Sequence, residues 1–167
     1  MRIRIILLLA VSLILQSSDT VIRQALEKDG VVFTHNNSVT LLTSGQQKFD
    51  DMFEAIRQAK SSVHLEYFNF RNDSIASELF NLLRMKVKEG VEVRALYDGF
   101  GNDSNNRPLR RSHVEKLRDD GIEIYEFDPV RFPWVNHVFT RDHRKIVVID
   151  GNVAYTGGMN VADYYIK

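Results

Sequence analysis

The sequence predicts a layered α/β domain with a mixed, largely parallel central sheet flanked by helices. Two observations carry this prediction. Short apolar strands alternate with amphipathic helices along most of the chain, the pattern of βαβ units. Ile146-Val147-Val148-Ile149 is apolar throughout, as in a strand covered on both faces.

Val31–Thr34 and Val39–Leu42 flank the turn-rich His35-Asn36-Asn37-Ser38 and read as a hairpin. Phe49, Met52, Phe53, Ile56 and Ala59 recur at helical spacing, so Gln47 to Lys60 forms an amphipathic helix. Val63 to Phe70 reads as a strand. A second helix starts at Asp73 or Ser74, either of which suits an N-cap. It carries Ile75, Leu79, Leu82, Leu83 and Val87 inward and stops at Gly90. Val91 to Tyr97 is the next strand, followed by a loop from Asp98 to Asn106 rich in Gly, Asn and Asp. Pro108, suited to a first turn, opens a third helix that runs to Gly121. Ile122 to Phe127 is a strand, and Asp128 to Asp142 is irregular, with two of the three prolines. His143 to Ile149 and Val153 to Thr156 are strands joined by Asp150-Gly151-Asn152. The loops 98–106 and 128–142 leave strand ends, where sheets of this class bind ligands.

A chain of 167 residues, 44% hydrophobic and 26% charged, is long and apolar enough for one domain with its own core. Its 22 basic side chains balance 22 acidic ones, which removes the general attraction to polyanions and makes nucleic acid an unlikely partner. The absence of cysteine excludes disulfides, thiolate nucleophiles, zinc ribbons and a lipoprotein anchor. At the N-terminus, Met1-Arg2-Ile3-Arg4 precedes the apolar run Ile5 to Leu15 and the polar Gln16-Ser17-Ser18-Asp19. That layout is a signal peptide's, although Leu15 and Ser17 make a poor cleavage pair. The run of 11 residues is shorter than the roughly 17–25 that a spanning helix needs. Residues 1–18 are therefore set apart as a signal peptide or short membrane-associating segment, and the protein is expected to be exported or membrane-associated.

The chemistry concentrates in His143-Arg144-Lys145. On a strand, side chains two apart share a face, so an imidazole and an ammonium are presented together where a core strand opens. Asp150 closes that strand. An antiparallel return through Val153–Thr156 brings Gly157-Gly158-Met159-Asn160 back to the His143 end. Such a cluster suits an anionic phosphoryl group. Lys145 offers a point charge with three donors, the glycines let backbone amides approach, and Asn160 adds a neutral donor. His143 can attack phosphorus as an unprotonated imidazole. Two Lys–Asn pairs would hold the phosphate, so neither metal nor cofactor is expected.

His143-x-Lys145-x4-Asp150, followed after six residues by Gly157-Gly158-x-Asn160, resembles the signature of the phospholipase D superfamily. Gly158 stands where serine is more usual, and Gly-Gly-Met-Asn is similar to the first motif of bacterial cardiolipin synthases. Leu65-Glu66-Tyr67-Phe68, Tyr97 to Gly101, Phe132 to Asn136 and Asn160 to Tyr164 resemble the N-terminal catalytic half of those enzymes. The resemblance covers residues 31–167 and implies a phospholipase D-like catalytic domain there. It implies phosphodiester exchange through a phosphohistidine, with a histidine from a second motif protonating the leaving alcohol. Phosphatidylglycerol is then donor and acceptor, glycerol leaves, and the setting is a membrane surface of the bacterial cell envelope. His143 takes the nucleophile's role, by family habit, which leaves the two histidines interchangeable. Lys145, Gly157, Gly158 and Asn160 bind phosphate. Asp150 is the supporting carboxylate, or acts instead through Lys145 or a remote partner.

Only one copy of the motif is present; His35, His64, His113 and His137 lack the pattern. The expectation is a truncated N-terminal half whose second motif lies in a missing C-terminal half, with a homodimer as the other option. Two other functions stay open: a secreted phosphodiesterase or nuclease using water, and a catalytically inert half-domain that binds phosphate or a partner. Accessory residues carry two readings each. Glu66 orients a catalytic group or is a surface carboxylate, Asp98 lines the cleft or forms a turn, and His137 contacts the headgroup or faces solvent. Arg107, Arg110, Arg111, Lys116 and Arg118 make the third helix a lipid-facing or simply solvated basic face. Phe132-Pro133-Trp134 forms an apolar lip or pins its loop to the core.

Overall fold

The computed structural model describes residues 20–131, 133 and 139–166. The leader 1–18, His137 and, apart from Pro133, the lip at 132–136 lie outside these residues. The chain divides into two compact units, Met1–Leu41 and Leu42–Lys167. In the first, residues 20–28 are helical, and Arg23 pairs with Glu27 and lies over the Phe33 ring. The expected hairpin is not formed, since residues 31–42 hold no strand. Val32 and Val39 are 84% and 95% exposed, and two strands without a third or a packed helix are marginal in water.

The second unit holds a five-stranded sheet in the order β3-β2-β1-β4-β5. Its strands are β1 (Ser62–Tyr67), β2 (Glu92–Asp98), β3 (Glu123–Phe127), β4 (Lys145–Ile149) and β5 (Val153–Thr156). The helices are α1 (Gly45–Gln58), α2 (Ser74–Lys88), α3 (Gly99–Asp103) and α4 (Arg111–Asp119). β1, β2 and β3 pair in parallel, whereas β4 runs antiparallel to β1, and β5 to β4. The α/β class stands, but the pairings divide evenly between parallel and antiparallel. The stretch between β3 and β4 returns the chain to the far side of β1 in the opposite direction, and Gly151, at φ 68°, turns it into β5.

Of the two candidate caps for α2, Asp73 is the one used, accepting from Ala76 N. Ser44 does the same for α1 at Gln47 N. The loop after β2 contains α3, whose N-terminus Asp98 caps at Gly101 N, 2.8 Å away. Helix α4 starts at Arg111 rather than at Pro108, because Leu109 is held outside it. Asn102 accepts from Leu109 N at 2.8 Å and donates to Leu109 O at 3.1 Å.

The alternation of strand residues sorts the sheet into two faces. Val63, Leu65, Tyr67, Val93, Ala95, Tyr97, Ile124, Val147 and Ile149 are buried in one core with Phe49, Met52, Ile56, Leu79 and Leu83 of α1 and α2. The opposite face carries His64, Glu66, Leu96, Tyr125, Ile146 and Val148 around a groove of about 360 Å³. Among the described residues β4 is thus covered on one face, not on both as its apolar run predicts.

Candidate active site

The end of β1 and the start of β4 lie side by side, with Tyr67 opposite Lys145. The strand begins at Lys145, so His143 and Lys145 do not share a strand face as the spacing predicts. Lys145 points into the covered side and is 5% exposed. His143 precedes the strand and is exposed. Two contacts join them instead. Lys145 Nζ donates to the His143 carbonyl oxygen at 2.7 Å. Phe68, immediately after β1, meets the His143 ring edge-on at 4.7 Å and lies 5.2 Å from Lys145 Nζ.

Phe68 is itself held by α3. A Cβ placed on Gly101 would fall 2.2 Å from the Phe68 carbonyl oxygen, so the two backbones meet without room for a side chain. Gly101→Ala is expected to cost about 2 kcal/mol by overpacking, read in urea denaturation, and to move the Phe68 ring against His143. An unchanged His143 ring resonance in the variant's NMR spectrum would refute that coupling.

Burial lowers the Lys145 pKa, opposed by the nearby Asp142 carboxylate. Among the described residues no carboxylate forms an ion pair with Lys145. A buried ammonium that no carboxylate contacts directly is costly, and an anion bound there would relieve that cost. The second half of the motif reaches the same end. Ile146 pairs with Thr156, so Gly157 and Gly158 follow β5 beside the start of β4. A Cβ on either glycine would meet nothing within 4 Å, and both residues are exposed. Asn160 is 8% exposed, and its Oδ1 accepts from Asn69 N at 3.4 Å. Beyond it, Arg71 N donates to Val161 O, and the Asp163 carboxylate accepts from Ile75 N at the start of α2.

Asp150 does not join this group. It lies at the other end of β4, about 16 Å along the strand from Lys145 by strand rise. There it accepts from the backbone amides of Lys60, Ser61 and Ser62 and from the Ser61 hydroxyl, all within 2.9 Å. These bonds hold its pKa well below the usual carboxylate value and tie the β4–β5 turn to the start of β1. A depressed carboxylate contributes stability above its unfolded pKa and loses it as pH falls through the folded one. Acid titration below about pH 4 should therefore unfold the chain in part through Asp150. Asp150→Asn is expected to flatten that limb of a melting-temperature profile while leaving phosphate binding at Lys145 intact. A profile unchanged in Asp150→Asn would refute the assignment.

Asp98 is fully buried and acts through the backbone. Its Oδ2 accepts from Asp142 N at 2.8 Å, and its Oδ1 pairs with Arg141 at 3.2 Å. It thus fixes the two residues before His143. Glu66 accepts from Arg144 Nη1 at 2.9 Å and contacts Asp142. Among the described residues no side chain hydrogen-bonds the His143 ring. His64 pairs with Glu92, at 2.7 Å. On α4, Arg118 donates to Ile124 O and Arg111 pairs with Glu115, so part of the basic helix is engaged within its own domain. Sequence spacing does not single out Phe68, Asn69, Arg141 or Asp142. Their contacts join chain segments far apart, and the sequence marks Phe68 only as part of the run Leu65-Glu66-Tyr67-Phe68.

A mixed α/β sheet that brings His-x-Lys and Gly-Gly-x-Asn to one end defines a domain of the phospholipase D superfamily. The chain belongs to the family of phospholipase D-like domains of cardiolipin synthases, whose pattern matches residues 52–165. It is 40% identical over 141 residues to the cardiolipin synthase of Oceanobacillus iheyensis, covering 84% of this chain and 29% of that protein. With cardiolipin synthase 1 of Bacillus anthracis the identity is 43% over 127 residues, 75% of this chain and 24% of the relative. The chain thus spans under a third of the length of these relatives. In fold it is similar to Nuc, a phospholipase D family member from Salmonella typhimurium (TM-score 0.51, 21% identity, 70% of this chain and 66% of that one). NucT from Helicobacter pylori is likewise similar (TM-score 0.54, 14% identity, 73% of this chain and 72% of that one).

Proposed function

We propose that this chain supplies one phosphate-binding half of a phosphatidyltransferase site of cardiolipin synthase type. The observation that carries the reading is the buried Lys145 side chain, without an ion-paired carboxylate among the described residues, beside His143 and the exposed Gly157 and Gly158. An imidazole nitrogen of His143 attacks the phosphorus of phosphatidylglycerol. Lys145, Asn160 and the glycine amides hold its non-bridging oxygens. The P–O bond to glycerol breaks, and a histidine from a second motif gives the leaving oxygen its proton. A hydroxyl of a second phosphatidylglycerol then attacks the phosphohistidine, returning its proton to that histidine. Cardiolipin forms and His143 is free again.

The second motif comes from further sequence like that of the longer relatives, or from a second copy of this chain. Anionic phospholipid is the substrate class, so a membrane surface of the cell envelope is the working site. No helix among the described residues is long and apolar enough to cross a membrane. A phosphodiesterase differs only in the acceptor, water replacing the second alcohol. Mass spectrometry of the products from phosphatidylglycerol vesicles separates the two. Cardiolipin with free glycerol supports transfer; phosphatidic acid without cardiolipin makes the chain a hydrolase and defeats the synthase reading. No product, whether or not inorganic phosphate binds at Lys145, leaves the inert half-domain that binds phosphate or a partner.

A further inference from the structure

Asp142, just before His143, is 8% exposed, and the partners of its two carboxylate oxygens differ. Oδ1 accepts from Arg144 N at 3.2 Å. Oδ2 is buried and receives no N–H or hydroxyl donor among the described residues. The Glu66 carboxyl, from the end of β1, interacts with the Asp142 side chain, and Arg144 ties the two together, its Nη1 to Glu66 Oε1 at 2.9 Å and its N to Asp142 Oδ1. Two ionised carboxylates in contact repel each other, and a buried oxygen without a donor is costly. Both problems disappear if one proton lies between them.

We propose that Glu66 and Asp142 share a single proton, the Glu66 carboxyl O–H donating to Asp142 Oδ2, and that this bond positions the His143–Lys145 segment against the end of β1. Neither residue is placed on the reacting phosphate; both act through the backbone that carries the motif. The positioning role rests on the phosphate-binding reading of His143 and Lys145, whereas the shared proton does not. The bond also completes a bracket around residue 142. Asp98 holds its amide, Glu66 its carboxylate, and the Glu66–Arg144 pair, 2.9 Å long, spans His143 from the other side.

The surrounding charges leave the proton where it is placed. Arg144 engages Glu66 Oε1 and favours the ionised form, but it is 69% exposed and screened. Lys145 feels Asp142 from within β4. On neighbouring positions, His64 of β1 is taken by Glu92, and Arg94 of β2 by Glu92 and Glu123. Arg141 faces Asp98 and Asp128. Burial and Asp142 raise the Glu66 pKa, with Arg144 opposing.

A carboxyl whose folded pKa is raised contributes stability below its unfolded value and loses it as pH rises through the folded one. The test uses the isosteric variants Asp142→Asn and Glu66→Gln, in which an amide N–H replaces the shared proton. Melting temperature is followed by circular dichroism from pH 4 to 8. Infrared difference spectra follow the protonated-carboxyl stretch. Wild type should lose stability across the window above about pH 4.5 and show a carboxyl band that both variants lack. Both variants should lose that pH dependence. Superimposable pH profiles, or an infrared band unchanged in both variants, would overturn the shared proton. Positioning is read separately, as inorganic phosphate affinity followed by NMR. Wild-type affinity should weaken above the pH at which the band disappears, and Asp142→Asn should remove that trend. If affinity tracks pH identically in both proteins, the positioning role fails. If phosphate binds neither, and Lys145→Ala changes nothing, it is the phosphate-binding reading that fails, with the carboxyl band still deciding the proton.

Discussion

His143→Ala is expected to reduce turnover of phosphatidylglycerol by about 10⁴-fold or more, the scale of losing the nucleophile in covalent catalysis. The methyl group cannot form the P–N bond, and among the described residues no neighbour can replace it. Lys145 is buried with its ammonium on the His143 carbonyl, and Asp150 lies at the far end of β4. The fold should barely notice. His143 is exposed, and its side chain's ring contact is the edge-on one with Phe68, worth about 1 kcal/mol. Activity and stability therefore separate. Product formation is measured by mass spectrometry and stability by urea denaturation on the same preparation. Mass analysis of protein quenched with denaturant at neutral pH, where the P–N bond survives, should show a phosphatidyl adduct on wild type and none on the variant. Turnover within tenfold of wild type in His143→Ala would exclude it as nucleophile.

Asp98→Ala is expected to be the most damaging single change to the fold outside the hydrophobic core, at about 3 kcal/mol. It strands two backbone amides, Gly101 N at the start of α3 and Asp142 N before the motif, and it takes one anion from Arg141. Arg141 keeps its bonds to Asp128, which holds the cost below that of a fully orphaned buried charge. Asp98→Asn keeps an acceptor and should recover part of the loss. The urea midpoint should fall with an unchanged slope, as for lost stability rather than an altered unfolded state. The same substitution releases residues 141–142, so phosphate affinity at Lys145 should fall with it. A midpoint within 0.5 M of wild type would show that Asp98 is merely a turn residue.

Much of this was legible in the chain. Helical spacing in Phe49, Met52, Phe53 and Ile56 located α1, and the choice of Asp73 or Ser74 as a cap located α2 within a residue. Local rules suffice there, because periodicity and capping are properties of neighbouring residues. They failed where strands needed partners. Val31–Leu42 has strand-like composition but no strand partner among the described residues, and α4 gave up its first turn because Asn102 holds Leu109. The one-sided cover of β4 shows the same limit. An apolar run states what a strand would bury and not which face another element reaches.

The site divides along the same line. His143, Lys145, Gly157 and Asn160 could be picked out by spacing, and the family resemblance with them, because motif chemistry is written in residue types at fixed separations. Spacing put Asp150 at the closing end of the strand but could not say that it is tied there to three amides of the β1 start. Nor could it reveal that Asp98 holds the chain before the motif, or that Glu66 meets Asp142. Those relations join residues dozens of positions apart, and only the sheet order and the antiparallel register of β1 with β4 bring them into contact. Sequence determined which groups are present and the class of phosphate chemistry they suit. Tertiary structure decided which of them face one another, because burial and hydrogen bonding depend on neighbours in space rather than along the chain.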